Sequence, residues 1–217
     1  FYGAGIIRSL PKIVGVQSEH ADPVYRYYLE EDETKRSFVP VTVKPSVAQA
    51  AMIGNPVSMP RVIQIARAYN QAAGEKRIFV VQVTEQEIMD SMMIANRNGN
   101  VACTQGGESM AGLRKAIEKG FVRRGETGIL DSTAHMLKFV TFQDMYFQDT
   151  FPPEFGVTPR QELRNAPLLV KPEKLEKFPK PGEPLQGEDM KRFIEETVAE
   201  IARILGLKRI FIYLLFR

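Results

Sequence analysis

Between the apolar run Gly128-Ile129-Leu130 and Phe139 lie Asp131-Ser132-Thr133-Ala134-His135-Met136-Leu137-Lys138, a segment dense in groups that donate or accept hydrogen bonds. The adjacent hydroxyls of Ser132 and Thr133 could bind a ring nitrogen or a phosphate, with His135 and Lys138 close behind. The position suits such work, because ligands of open α/β sheets sit at the carboxyl ends of strands and an apolar run ends here. The same hydroxyl pair also suits the N-cap of a following helix. A second loop, Cys103-Thr104-Gln105-Gly106-Gly107, offers the Thr104 hydroxyl and a glycine pair opening a helix, where free N–H groups and the helix dipole favour an anion. Its spacing is neither a dinucleotide fingerprint nor a P-loop, and a close strand-to-helix turn accounts for it equally. Cys103 with His20 or His135 would make a nucleophile and base, but its apolar surroundings favour a buried structural thiol. Glu19 and His20, after the first apolar run, read as a solvated strand edge. No His, Cys, Asp and Glu residues fall at metal-ligand spacing.

The elements that must position these loops follow from periodicity. The chain starts in what reads as a helix, and Lys12 to Gln17 is a short β-prone run followed by a helical stretch from Asp22 to Leu29. Ser46 is placed to cap a helix through Met52. Met59 to Ala73 repeats apolar residues at helical spacing before Gly74 stops it, and Gly54-Asn55-Pro56 marks the turn between the two. Ile78 to Val83 is a buried strand; Thr84 with Glu87 is a capping box opening a helix with Ile88, Met92 and Ala95 on one face. Val101 to Cys103 reads as a brief strand, Gly106 to Gly120 as a helix, and Thr127 to Leu130 as a returning strand. Strands alternating with helices predict an α/β fold, a three-layer sandwich with a mostly parallel sheet. After Phe139 the pattern dissolves. Leu168 to Pro184, rich in Pro and Lys, suits an extended arm, and Gly187 to Leu205 reads as an amphipathic helix. Three regions are expected: 1–145 as the sheet-bearing domain, 146–186 as the arm, and 187–217 as the C-terminal helix with an apolar tail at 210–216.

Composition narrows the function classes. With 217 residues, 44% of them hydrophobic, the chain can bury a sizeable core. Its net charge of +3 comes from 29 basic and 26 acidic residues that are interspersed, which leaves no electrostatic footprint for nucleic acid. The single cysteine rules out an internal disulfide and makes the cytoplasm the default compartment. The longest apolar run, Ile210 to Phe216, is far short of the ~20 residues of a membrane-spanning helix.

Three segments carry a family resemblance in order and spacing: Gly5-Ile6-Ile7-Arg8-Ser9-Leu10-Pro11-Lys12-Ile13-Val14-Gly15-Val16-Gln17, Ile53-Gly54-Asn55-Pro56-Val57-Ser58, and Ser132-Thr133-Ala134-His135-Met136-Leu137-Lys138. Together they resemble the threonine synthase family, pyridoxal-phosphate enzymes of the tryptophan-synthase-β fold type (fold type II). The likeness covers Phe1 to Phe139. It implies pyridoxal 5'-phosphate as cofactor and the conversion of O-phosphohomoserine and water to threonine and phosphate. It assigns Thr133 to the pyridine nitrogen, with Ser132 and His135 beside the cofactor, and Asn55, Ser58 and Thr104 to the amino-acid phosphate substrate. Ala134 and Met136 stand where the family has small residues. The family's imine-forming lysine and its glycine-rich phosphate loop belong to an N-terminal half. Here Lys35-Arg36-Ser37-Phe38 holds the corresponding letters in another order, so no catalytic lysine is assigned. The chain is expected to be the C-terminal part of a fold type II domain, incomplete and inactive without that half, and to belong to a homodimer. A related lyase such as threonine dehydratase, and a non-catalytic α/β binding module, are the alternatives.

Overall fold

A computed structural model describes residues 1–164 and 169–207. In chain order the elements are β1 (Ile13–Ser18), α1 (Pro23–Leu29), α2 (Met59–Ala73), β2 (Ile78–Val83), α3 (Glu85–Arg97), α4 (Thr104–Glu118), α5 (Val140–Gln148) and α6 (Gly187–Ile204). Strands β1 and β2 are parallel neighbours, with Ile13 opposite Ile78 and Ser18 opposite Val83. Successive strand residues point to opposite faces, and each face has its own helix. On one side Val16 meets Gly112 of α4, and Phe79 stacks on Phe121 with ring centroids 4.6 Å apart. On the other, Gln17 accepts hydrogen bonds from the Val24 and Tyr25 amides of α1, both at 2.9 Å, and its neighbour in register, Gln82, donates to Asp22 at 2.6 Å. This is the expected α/β layering, helix on sheet on helix.

The best-packed seam runs between α3 and α4. The Thr84–Glu87 capping box forms as the spacing predicts, with the Glu87 amide donating to Thr84 Oγ1 at 3.1 Å and the Thr84 amide to Glu87 at 2.8 Å. Ile88, Met92 and Ala95 lie buried on one face, joined by Met89 and Met93. Close approach at the seam requires Gly107 of α4: a Cβ there would lie 2.7 Å from the Met92 Cβ. Val47, Ala48, Val83, Ala111, Phe142, Tyr146 and Val157 belong to the same core.

The structure corrects several sequence expectations. Phe1 to Ser9 forms turns instead of a helix, because Gly5 adopts a left-handed conformation (φ +71°) and its amide bonds back to Tyr2. The helix expected after Ser46 shrinks to a single 3-10 turn, Gln49–Ala51. Ser46 Oγ accepts from the Ala48 amide, and the Val47 amide is held by Glu85. Helix α4 begins at Thr104, two residues before the glycine pair. Val101 to Cys103 contributes one antiparallel bridge, Ala102 to His135, and Thr127 to Leu130 forms no ladder with any described strand, leaving Ile129 94% exposed. Beyond Phe139, where no pattern was read, α5 buries Phe142 and Tyr146 one turn apart, and Phe151 and Phe155 pack on Phe142.

The chain divides into two compact units, Phe1–Asn165 and Ala166–Arg217. In the second, α6 carries acidic residues in its first turn, and Lys177 bonds Asp189 at 2.7 Å. The apolar tail at 210–216 lies outside the described residues. Among the described residues no helix is long and apolar enough to cross a membrane.

Candidate active site

A cavity of about 490 Å³ opens where α4 begins. Gln105, Glu108 and Ser109 of α4 form one wall, Thr133, Ala134, Lys138 and Phe139 a second, and Ala50 and Ala51 a third. Each wall is held in place by a specific set of bonds. The Thr133 segment is fixed to the loop before α4 by the Cys103 amide bonding to Ala134 at 3.2 Å, and by Ser109 Oγ donating to the Asp131 carbonyl at 2.8 Å. The Ala50–Ala51 wall is held through Glu85, the first residue of α3. This buried carboxylate accepts from the Ser46 hydroxyl at 2.9 Å, from the Val47 amide at 2.6 Å and from the Ser18 hydroxyl at the end of β1. His20 stands 3.8 Å from the same carboxylate.

The first two turns of α4 are unusual in what they leave unpaired. Thr104 Oγ1, Gln105 Nε2 and Glu108 Oε1 are buried and have no hydrogen-bond partner among the described residues. Buried polar atoms are nearly always satisfied, so these three call for a partner, an ordered water or a ligand. The first turn of α4 carries no acidic residue to complement its dipole. Burial raises the Glu108 carboxyl from its ordinary value to about 7, the Glu85 charge adds to the rise, and a hydrogen bond from the Ser18 backbone opposes both.

The residues singled out in the sequence are placed as follows. Thr133 lines the cavity, its hydroxyl 4.0 Å from the Cys103 thiol. Ser132 is exposed and sits against Gly106, where a Cβ would come 3.1 Å from the Ser132 hydroxyl. Neither hydroxyl caps a helix: the next turn, Met136–Phe139, is capped by His135, whose Nδ1 accepts from the Leu137 amide at 3.2 Å. That role occupies His135, and its ring is not part of the cavity wall. Thr104 is fully buried at the start of α4. Asn55 and Ser58 are exposed ahead of α2 and do not reach the cavity; Gly54 beside them packs on Val41, with the Val41 amide donating to the Gly54 carbonyl at 2.9 Å. Cys103 is a buried thiol donating to Gln105 Oε1 at 3.2 Å. Sequence reasoning missed Glu85 and Glu108. Neither carried a signal in the sequence, since a glutamate at a helical position reads as a solvated residue until its packing is known.

Residues 3–130 match the family profile of the pyridoxal-phosphate dependent enzymes. The chain belongs to that family. It is similar to threonine synthase 2, chloroplastic, of Arabidopsis thaliana (30% identity over 135 residues, 62% of this chain and 24% of the relative). It is equally similar to the threonine synthase of Methanocaldococcus jannaschii (30% over 135 residues, 62% and 31%) and to that of Mycobacterium leprae (30% over 139 residues, 64% and 34%). The chain thus spans between a quarter and about a third of these relatives' length.

The family's cofactor is pyridoxal 5'-phosphate, and the cavity suits it. Its volume lies within the roughly 300–1,000 Å³ usual for small-molecule sites. Thr133 lines the cavity with its hydroxyl 4.0 Å from the Cys103 thiol, and Gly106 lets Ser132 approach α4 closely.

Proposed function

We propose that this chain forms one wall of the cofactor and substrate site of a threonine synthase, which converts O-phosphohomoserine and water to threonine and phosphate. The observation that carries the reading is Thr133 on the wall of the same cavity as Gln105, Glu108 and Ser109 of α4. Similarity to three threonine synthases supports the choice of reaction. Bound pyridoxal phosphate supplies an electron sink for charge developing beside the substrate's amino carbon. Thr133 would hold the ring nitrogen. A neutral hydroxyl, unlike a carboxylate, does not keep that nitrogen protonated and so moderates the ring's electron withdrawal. Ser132, pressed on Gly106, fixes the backbone from which Thr133 projects. Glu85 positions the Ala50–Ala51 wall opposite.

The test is turnover by the full-length protein. Release of threonine and phosphate from O-phosphohomoserine is expected. Formation of a 2-oxo acid and ammonia from threonine, without activity on the phosphorylated substrate, would replace this reading with a dehydratase.

A further inference from the structure

Two ionisable side chains line the cavity, and they differ in what they present to a ligand. Glu108 is only 6% exposed, whereas Lys138 is exposed. Among the described residues Lys138 pairs with no carboxylate. A ligand entering the cavity therefore meets one open charge, and it is positive. The backbone that carries this charge is fixed from both sides. His135 caps the turn Met136–Phe139: its Nδ1 accepts from the Leu137 amide at 3.2 Å, and its carbonyl accepts from the Lys138 amide at 3.1 Å. The Met136 amide donates to the Val101 carbonyl at 3.3 Å, which ties the turn to the segment before α4. At the other end Phe139 packs against the core, and the Lys138 ammonium lies 5.5 Å from the centroid of its ring. A long side chain held in this way has less freedom left to lose when it binds.

We propose that Lys138 anchors a phosphate monoester in this cavity, with His135 as the positioning residue that presents it. The inference deepens the reading above and rests on it for the class of ligand, because the cofactor and the substrate of that reading are both phosphate monoesters. The chemistry of the ammonium group agrees. It is a compact charge with three donors, suited to the tetrahedral oxygens of a phosphate, and a dianion gains more from it than a carboxylate with a single charge. Lys138 is thereby the residue that separates phosphorylated ligands from their unphosphorylated counterparts.

The experiment measures inorganic phosphate binding to the full-length protein by calorimetry. Lys138→Ala is expected to weaken phosphate about tenfold or more, the usual consequence of losing a charged donor, while Lys138→Arg keeps most of the affinity. The side chain is exposed, so the urea midpoint should match wild type in both variants. His135→Ala should weaken phosphate about threefold, and His135→Asn should restore it, because asparagine is a strong N-cap. A merely structural role for His135 would leave phosphate binding unmoved. A wild type that takes up no phosphate, or a Lys138→Ala protein that binds it as wild type does, would overturn the proposal. Two further arms locate the phosphate's source. Weaker uptake of pyridoxal phosphate by Lys138→Ala, with uptake of unphosphorylated pyridoxal unchanged, would assign the anchor to the cofactor. Phosphate that still binds the cofactor-loaded protein, with a raised KM for O-phosphohomoserine in Lys138→Ala, would assign it to the substrate. Because binding is read without turnover, a phosphate site that depends on Lys138 in a protein that leaves O-phosphohomoserine untouched would reject the reaction and keep the anchor. Turnover of O-phosphohomoserine with phosphate binding indifferent to Lys138 would do the reverse.

Discussion

Burying a carboxyl that then resists ionisation has a stability consequence at Glu108. Its folded value of about 7 exceeds the ordinary 4.5, so between these limits the native state holds a proton that the unfolded chain has released. Stability therefore falls as pH rises through that window and is level above it. Glu108→Gln removes the effect, and its gain over wild type should reach at most about 3 kcal/mol at pH ~8 and vanish near pH ~4.5. Urea midpoints at the two pH values check this. Thr133→Val is the complementary case: it removes a hydroxyl from an exposed cavity wall, so turnover should drop while the urea midpoint holds. Unchanged kinetics would remove Thr133 from the ring nitrogen. Thr133 was legible in the sequence because it lies in a family motif. Glu108 was not: in a Gly-Gly-Glu-Ser stretch a glutamate reads as a solvated helix residue, and only the packing of α4 on the end of β1 buries it.

At the scale of elements, α4 is the member whose placement sets the cavity, and glycines let it sit so close. A Cβ at Gly112 would overlap the Val16 side chain of β1, so Gly112→Ala should cost roughly 1–3 kcal/mol by overpacking. A lowered urea midpoint with unchanged secondary structure would register it. Thr84→Ala should cost about 1 kcal/mol, because it deprives the Glu87 amide at the start of α3 of its acceptor. β2 and α3 were legible because apolar run, capping box and helical stripe all agree in one short stretch. The strand expected at 127–130 was not realised, since a strand is defined by its partner and composition cannot supply one. α5 was missed for the opposite reason: Phe142 and Tyr146 carry weak helix propensity, and burial against α3 decides their conformation.

At the scale of the first compact unit, one polar cluster fastens the irregular segment after α5 to the core. Asp90, buried on α3, accepts from the Tyr146 hydroxyl and from Gln86, both at 2.7 Å, and pairs with Arg160 at 2.8 Å. The Arg160 amide in turn donates to the Tyr146 hydroxyl at 3.1 Å. Desolvation, a hydrogen bond to Asp90 and its nearby charge keep the Tyr146 phenol protonated far above its usual range. Tyr146→Phe leaves the Arg160 amide without its acceptor. Residues 149–164 should then exchange amide hydrogens and be cut by protease faster than in wild type, while α3 and α4 keep their protection. Uniform loss of protection would mean instead that the cluster supports the whole unit.

The parallel pairing of β1 with β2 also governs how the chain reaches this structure. Ile13 and Ile78 are 65 positions apart (78 − 13), whereas α3 and α4 are joined by the short stretch Asn98 to Cys103. Closing the longer loop costs more entropy before any contact rewards it. The α3–α4 pair should accordingly form early, and β1 should dock late against a surface already built. A disturbance confined to that late docking, as at Gly112, should appear mainly as faster unfolding, with the refolding rate nearly unaltered.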